Sequence, residues 1–288
     1  MPLANSPLRY PGGKAVLSDF LGATIDLNQI TKCTYVEPYA GGAGAAINLL
    51  LSGKVERIIL NDADRSVWAF WHSILYHTED FVKRIKSTPV SVREWKRQRQ
   101  IYRARPRRTL DLGFAAFYLN RCNRSGIITN GSIIGGMDQT GRWKIDARYN
   151  RDELIRRIEC IAAMKRNIQV CCLDAIEFLR LHILPHRNRS RFFVYLDPPY
   201  YVKGSRLYLN YYAPKDHKAL ASFLKRIKDV LWLVTYDDTP QIRDLYSWRI
   251  ITDFNLRYSV ATAKQGSEIM IGSLGLQLPI ECLYAKSA

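Results

Sequence analysis

Short apolar runs recur along the chain, and most end on an acid or a small polar residue. The stretches 34-TYVE-37, 57-RIILND-62, 168-IQVCCLD-174, 192-FFVYLD-197, 232-WLVTYD-237, 249-RIITDFN-255 and 268-EIMIGS-273 have strand length and favour β-branched and aromatic residues. Between several of them the period lengthens to that of an amphipathic helix, in 44-GAAINLLLS-52, 64-DRSVWAFWHSIL-75, 152-DELIRRIECIAAMK-165 and 216-DHKALASFLKRIKD-229. Hydrophobicity that is continuous rather than alternating marks strands covered on both faces. Strands alternating with helices then predict an α/β fold, a parallel or mostly parallel doubly wound sheet.

Residues 76–150 interrupt this rhythm, being too long for one crossover. They are basic at first, then helical in 110-LDLGFAAFYLN-120, then rich in Gly, Asn and Ser with a hairpin-like 134-IGGMDQTGRWKID-146. The expected organisation is a catalytic α/β domain in two halves, 1–75 and 151–288, with 76–150 inserted between them as a helical and hairpin subdomain.

Composition changes this picture in one respect. The 288 residues carry 43 Lys and Arg against 26 Asp and Glu, a formal charge of +17. A surplus of that size favours a polyanionic partner, either nucleic acid or an anionic membrane surface. No run of 18 apolar residues occurs, and the opening MPLANSPLRYPGGK does not read as a signal peptide. Six cysteines lack any C-x-x-C pairing, and adjacent Cys171 and Cys172 read as core residues of a strand. Reduced thiols in a cytoplasmic setting, and no structural metal, are therefore expected.

Two stretches carry candidate chemistry. In 34-TYVEPYAGGAGAAINLL-50 a strand meets a glycine turn and then a helix. Gly41, Gly42 and Gly44 allow a sharp turn and a close approach of backbone to ligand. Asp62 ends the next strand about twenty residues on, where an acid reaches ribose hydroxyls in the dinucleotide fingerprint. The loop is not G-x-G-x-x-G, however, and Glu37 precedes it. That acid would repel a pyrophosphate but suits a cationic group. A nucleoside with a positive centre such as S-adenosylmethionine, a dinucleotide, and a purely structural turn are all open readings. Upstream, 6-SPLRYPGGK-14 offers Lys14 for a ligand carboxylate and Tyr10 for a ring, although a basic surface turn is the plainer reading.

The second stretch is 192-FFVYLDPPYYVKG-204. Its five apolar residues fit a central strand, and Asp197 stands where such a strand emerges, the place where open α/β sheets bind ligands. Pro198 and Pro199 fix φ and remove two amide donors, so no ladder continues. A simple Asp-Pro turn explains the tetrapeptide equally well.

Together the stretches resemble the Dam-type DNA adenine-N6 methyltransferases over almost the whole chain and in that family's order. L-R-Y-P-G-G-K (8–14) is similar to its N-terminal motif, E-P-Y-A-G-G-A-G (37–44) to its methyl-donor loop and N-D-A-D (61–64) to its ribose motif. L-N-R (119–121) resembles the start of its target-recognition region, and D-P-P-Y (197–200) its catalytic motif. The resemblance implies a Rossmann-like methyltransferase sheet, with S-adenosylmethionine as donor and double-stranded DNA as substrate. Tyr10, Lys14, Asp62 and Asp197 fall where that family contacts the donor. Glu37, Pro38, Tyr39, Gly41, Gly42 and Gly44 form its loop, and Asp174 stands where the donor's adenine would be met. Tyr10 replaces a frequent tryptophan and Ala43 a frequent glycine. A partner restriction or defence protein is compatible with this reading; a membrane is not part of it.

The resemblance also implies the chemistry of the corner. The lone pair of the adenine amine is delocalised into the ring, so the amine is a poor nucleophile. Two acceptors, the Asp197 carboxylate and the Pro198 carbonyl, would each take one N6–H and free that lone pair for the donor's methyl. Pro199 would stiffen the corner and Tyr200 would stack on the base, which must be flipped from the duplex. Aspartate, rather than the serine or asparagine of related motifs, favours adenine over cytosine-N4, protein glutamine or RNA.

The basic segment fits the same partner. Lys83 to Arg108 holds eleven Lys and Arg and one acid, Glu94. Arg93, Lys96, Arg97, Gln100 and Arg103 fall near helical spacing, a cationic stripe suited to phosphates. Arg9, Asn120, Arg121 and Arg124 are candidates for the duplex, since Arg pairs with guanine and Asn with adenine edges. Residues 129–143 are placed to enter a groove. Tyr208, Tyr211 and Tyr212, with Lys203 and Arg206, form a candidate lid, with ordinary packing as the alternative. His182, His186 and His217 show no ligand spacing and are expected to be structural. An RNA or cytosine-N4 acceptor and a catalytically silent binding module are the rival functions.

Overall fold

The computed structural model describes residues 5–9, 14–201, 212–254 and 268–281. Among them seven strands form one sheet in the order β3-β2-β1-β4-β5-β7-β6. The strands β1 (Thr34–Glu37), β2 (Arg57–Asn61), β3 (Ile168–Cys171), β4 (Phe192–Leu196) and β5 (Leu231–Asp237) pair in parallel. Strand β7 (Glu268–Gly272) lies antiparallel between β5 and β6 (Ile251–Phe254). The expected mostly parallel α/β sheet is the observed one. Its antiparallel end was not legible, because a buried apolar run reads the same in either direction.

Side chains alternate between two cores, as the two-residue period of a doubly covered sheet requires. Tyr35, Phe193 and Tyr195 point into one core, and Val36, Val194 and Leu196 into the other. The first core holds the helices α1 (Ser18–Leu27), α2 (Gly44–Leu51), α3 (Arg65–Tyr76) and α7 (Arg151–Ala163). The second holds α8 (Ala175–His182), α9 (Pro214–Arg226) and α10 (Pro240–Leu245). The chain therefore winds outward from β1 over one face to β3, returns, and continues from β4 over the other. The strand order reverses at the carboxyl ends of β1 and β4, the general ligand position in such sheets.

Three further helices, α4 (Thr78–Ser87), α5 (Val92–Ala104) and α6 (Thr109–Cys122), occupy the segment between α3 and α7. The interior of α6 is apolar nearly all round, so it is buried rather than amphipathic. It lies so close to α3 that a Cβ on Gly113 would stand 2.4 Å from the Ala69 carbonyl oxygen, and Phe117 stacks on Phe70 at 5.8 Å.

Two expectations are corrected. Residues 134–146 form no hairpin: they make a chain of turns with Gly135 and Gly136 at positive φ. Gln139 replaces the missing ladder, its amide donating to the Ile134 and Gly136 carbonyls while its oxygen accepts from the Ile145 amide. Cys171 and Cys172 are half-buried rather than core residues, because β3 is the outermost strand with β2 as its single neighbour. Tyr10 and residues 203–211 of the candidate lid lie outside the described residues.

Candidate active site

The glycine turn after β1 is held from both sides. Ser6 donates to the Gly42 carbonyl, and Trp71 of α3 donates to that of Gly41. Gly41 adopts φ +46° and Ala43 φ +44°. Gly44 starts α2 against the N-terminal segment, where a Cβ would meet that of Ala15 at 2.9 Å. Here Ala43, which takes the place of a glycine, accepts the strained left-handed region at the helix start.

Asp62 binds this turn: one carboxylate oxygen accepts from the Gly41 amide at 2.9 Å and the other from the Asp64 amide at 2.8 Å. Burial pushes its carboxyl up to about 7. Glu37, at the end of β1, is 5% exposed and accepts from the Tyr35 hydroxyl and the Ala46 amide. Desolvation pushes it up to about 8. The Pro38 carbonyl accepts from buried Asn61, and the Tyr39 hydroxyl meets that of Tyr212 at 2.7 Å. Asp174 is exposed and caps α8, accepting from the Ile176 and Glu177 amides.

The D-P-P-Y corner follows fully buried β4 at the same end of the sheet. Asp197 Oδ1 accepts from Thr235 Oγ1 at 2.9 Å and lies 3.2 Å from Lys14 Nζ. Burial raises its carboxyl above the usual range and Glu268 adds to the rise, while Lys14 and the Thr235 hydroxyl oppose it. Lys14, itself buried, donates to the Tyr200 hydroxyl at 2.8 Å and lies 3.5 Å from Glu268 Oε2. The Tyr200 hydroxyl donates in turn to Glu268 Oε1. One residue on, the Tyr201 amide donates to Asp237 Oδ1 at 2.9 Å, and its ring packs on buried His217. Lys14, Asp62, Glu37 and Asp197 were legible as motif members. Glu268 and Thr235 were not, since neither belongs to a recognisable spacing.

The carboxyl groups of Glu37, Asp62, Asp197 and Glu268 thus gather at the carboxyl end of the sheet, with Lys14 near the last two. A ligand bearing a positive centre would favour ionisation of Glu37 and Asp62, which burial holds at about 8 and about 7, whereas a pyrophosphate would not.

The expected duplex contacts separate into two sets. On α5 the side chains of Arg93, Lys96, Arg97, Gln100 and Arg103 are all exposed, whereas Glu94, Trp95, Gln98 and Tyr102 are buried, so the stripe forms one outward face. Arg124 is exposed. Arg9 and Arg121 are half-buried beside Arg148, and burial and mutual repulsion lower both guanidinium groups, Arg121 to about 10. Asn120 does a different job from the base-edge contact expected of it. It is fully buried, and its amide is used by the Arg9 amide and by the Arg9 and Gly126 carbonyls. It anchors the N-terminal segment and offers no edge to DNA. Sequence reasoning passed over Trp143, which is 58% exposed with the guanidinium groups of Arg142 and Arg148 over its ring.

Comparison with known proteins agrees with this site. Residues 10–260 match the family described as D12 class N6 adenine-specific DNA methyltransferase. The chain is 26% identical over 275 residues to M.CviBI, a type II methyltransferase of Paramecium bursaria Chlorella virus NC1A, covering 91% of this chain and 95% of that protein. An rRNA methyltransferase structure from Streptomyces viridochromogenes aligns over 92% of this chain and 86% of its own, at 13% identity and a TM-score of 0.35. Among the described residues no helix is long and apolar enough to cross a membrane. The D-P-P-Y corner, the acids gathered beside it and the family match converge: the chain belongs to the D12 class of N6 adenine-specific DNA methyltransferases, enzymes that methylate adenine in DNA.

Proposed function

We propose that this methyltransferase uses S-adenosylmethionine as donor, bound along the β1–α2 turn, and acts on an adenine flipped from a specific short sequence of duplex DNA. The observation that carries the reading is the meeting of the glycine turn, Asp62 and the Asp197 corner at the carboxyl end of adjacent strands β2, β1 and β4. S-adenosylmethionine, when bound, supplies a methyl group activated by a sulfonium cation. Glu37, Asp62 and Asp197 offer that cation an acidic surround, and the loop residues Pro38, Tyr39, Gly41, Gly42 and Gly44 offer backbone and ring contacts. Lys14 and Tyr10 would meet the donor's amino-acid end, and exposed Asp174 its adenine.

The acceptor side follows from the corner. Both bonds to Asp197 land on Oδ1, and among the described residues none reaches Oδ2, which leaves that oxygen to take one N6–H of the adenine. The Pro198 carbonyl takes the other. Donating both hydrogens in hydrogen bonds pulls the amine toward a tetrahedral shape and restores its lone pair as a nucleophile, and the one proton the nitrogen sheds on methylation would leave through the Asp197 carboxylate to solvent. The prolines hold both acceptors in place before the substrate arrives, so little reorganisation accompanies the reaction. Tyr200 supplies a face for the extruded base, offsetting part of the few kcal/mol of unstacking.

The substrate duplex lies, in this reading, against residues 76–150 as an inserted recognition segment. The α5 stripe and Arg124 neutralise phosphates, while Arg9, Arg121 and Arg148 converge as a second anion-binding group. Trp143, rather than a hairpin, is the exposed element of the 134–146 turns that reaches toward the bases. The type II designation of the viral relative supports recognition of one short sequence. Transfer of labelled methyl from S-adenosylmethionine to unmodified duplex, with the product identified as nucleoside, tests the whole reading. N6-methyladenine at one motif is expected; label in RNA or in cytosine would overturn it.

A further inference from the structure

The adenine-holding corner is gripped from a strand that none of the motifs includes. Glu268 opens β7, is 2% exposed, and accepts the Tyr200 hydroxyl bond. It also lies 3.5 Å from the Lys14 ammonium, which lies 3.2 Å from Asp197. Its cross-strand partner is Asp237 of β5, whose carboxylate receives the Tyr201 amide. One cross-strand pair of acids therefore holds the side chain of Tyr200 and the backbone of Tyr201.

We propose that Glu268 is a positioning residue for methyl transfer, fixing the Tyr200 ring and drawing the Lys14 ammonium partly away from Asp197. The proposal rests on the reading of Asp197, Pro198 and Tyr200 as the corner that holds the adenine. The carboxylates of Glu268 and Asp197 both lie within 3.5 Å of the one Lys14 ammonium. An ammonium paired with Asp197 alone would saturate the carboxylate that has to accept the adenine amine. With Glu268 competing for it, Asp197 keeps acceptor strength. A second negative charge beside Asp197 also raises its proton affinity, which strengthens any hydrogen bond it accepts. The contact to Tyr200 acts at the phenol's polar end, so the ring is aimed without covering its faces.

The test uses the full chain with Glu268→Gln, Tyr200→Phe and the double variant, on duplex DNA with labelled donor. Glutamine keeps an acceptor for Tyr200 but removes the charge. The expected result for Glu268→Gln is a fall in kcat on the order of tenfold to a hundredfold. Dissociation constants for DNA and for donor, measured by titration, should stay within about twofold, so the loss is one of kcat rather than binding. The acid limb of the kcat/KM profile should move to lower pH, because Asp197 loses a like-charged neighbour and stays ionised further down. The double variant should lose less than the product of the two single losses, since both act through one contact. Wild-type kcat with an unmoved acid limb would overturn the proposal. If Glu268→Gln does not fold, Glu268→Asp, which keeps the charge but shortens the reach, takes its place; a full kcat there is equally fatal. An unsubstituted enzyme that leaves adenine unmethylated while binding DNA and donor would instead overturn the reading of the corner, a different outcome from an active parent with an equally active variant.

Discussion

The acids at the carboxyl end of the sheet and the face carried by α5 differ in both charge and burial. Glu37 and Glu268 are almost wholly buried, and Asp62 and Asp197 half-buried, around the carboxyl ends of β1, β2 and β4. On α5 the stripe cations Arg93, Lys96, Arg97 and Arg103 are exposed and the one acid, Glu94, is buried on the inward face, where Gln98 and Arg97 hold its carboxylate. The formal +17 is therefore an average over two segregated fields. The exposed field is screened by salt and acts at the range of a phosphate backbone. The buried field acts at hydrogen-bond distance and is little affected by salt. A DNA methyltransferase needs both: one holds a polyanion, and the other draws electron density onto a single neutral amine.

That contrast can be broken at either end. The largest effect is expected of Asp197→Ala, which should lower methyl transfer by about a thousandfold or more. DNA affinity should stay within a few-fold and its salt slope should not change; a binding loss of similar size would mean the two fields are one. Next comes Asn120→Ala. Removing a buried amide that satisfies three backbone groups should cost about 2–3 kcal/mol, read as a lower midpoint in denaturant. Stability at the wild-type value, with altered sequence preference, would restore Asn120 to the duplex side. Replacing Arg97 and Arg103 together with Ala should reduce the salt slope of binding by about 2. Affinity should fall about tenfold for every DNA sequence, with kcat at saturating DNA unchanged, and an unaltered slope would place the stripe away from the duplex. The smallest change is expected of Asp174→Ala, about 1 kcal/mol of stability through the lost α8 cap. A raised KM for the donor in that variant would add the ligand contact to the cap; an unchanged KM would leave the cap alone.

Local pattern explains why so much of the frame was legible. Strands β1, β2, β4 and β5 begin and end within a residue or two of their apolar runs, because a strand covered on both faces has no polar positions to blur its limits. Motif residues placed by strand ends, such as Glu37, Asp62 and Asp197, were legible for the same reason: the carboxyl end of a parallel strand is the position itself. The 134–146 turns misled because Gly-rich sequence between apolar residues fits several turn families, and Gln139 closes the loop with a side chain where a hairpin would use backbone.

Other errors are of a different kind. Asn120 follows a leucine and precedes an arginine, and nothing local says that Arg9, more than a hundred residues earlier, will lie across it. Glu268 likewise sits in an ordinary strand start. Its meaning depends on β7 inserting antiparallel between β5 and β6, which brings its first residue to the end of the sheet where Asp197 emerges.

From the order of its residues alone, this protein's fold class, its family motifs (the glycine turn after β1 and the D-P-P-Y corner after β4) and its basic stripe were legible, since each depends on spacing along a few consecutive residues. The tertiary structure alone decided which acids share Lys14, which polar side chains point inward, and that Trp143 is left exposed between Arg142 and Arg148. Those outcomes depend on contacts between residues far apart in sequence, where desolvation and packing, rather than local periodicity, decide which partner a charged or polar group receives.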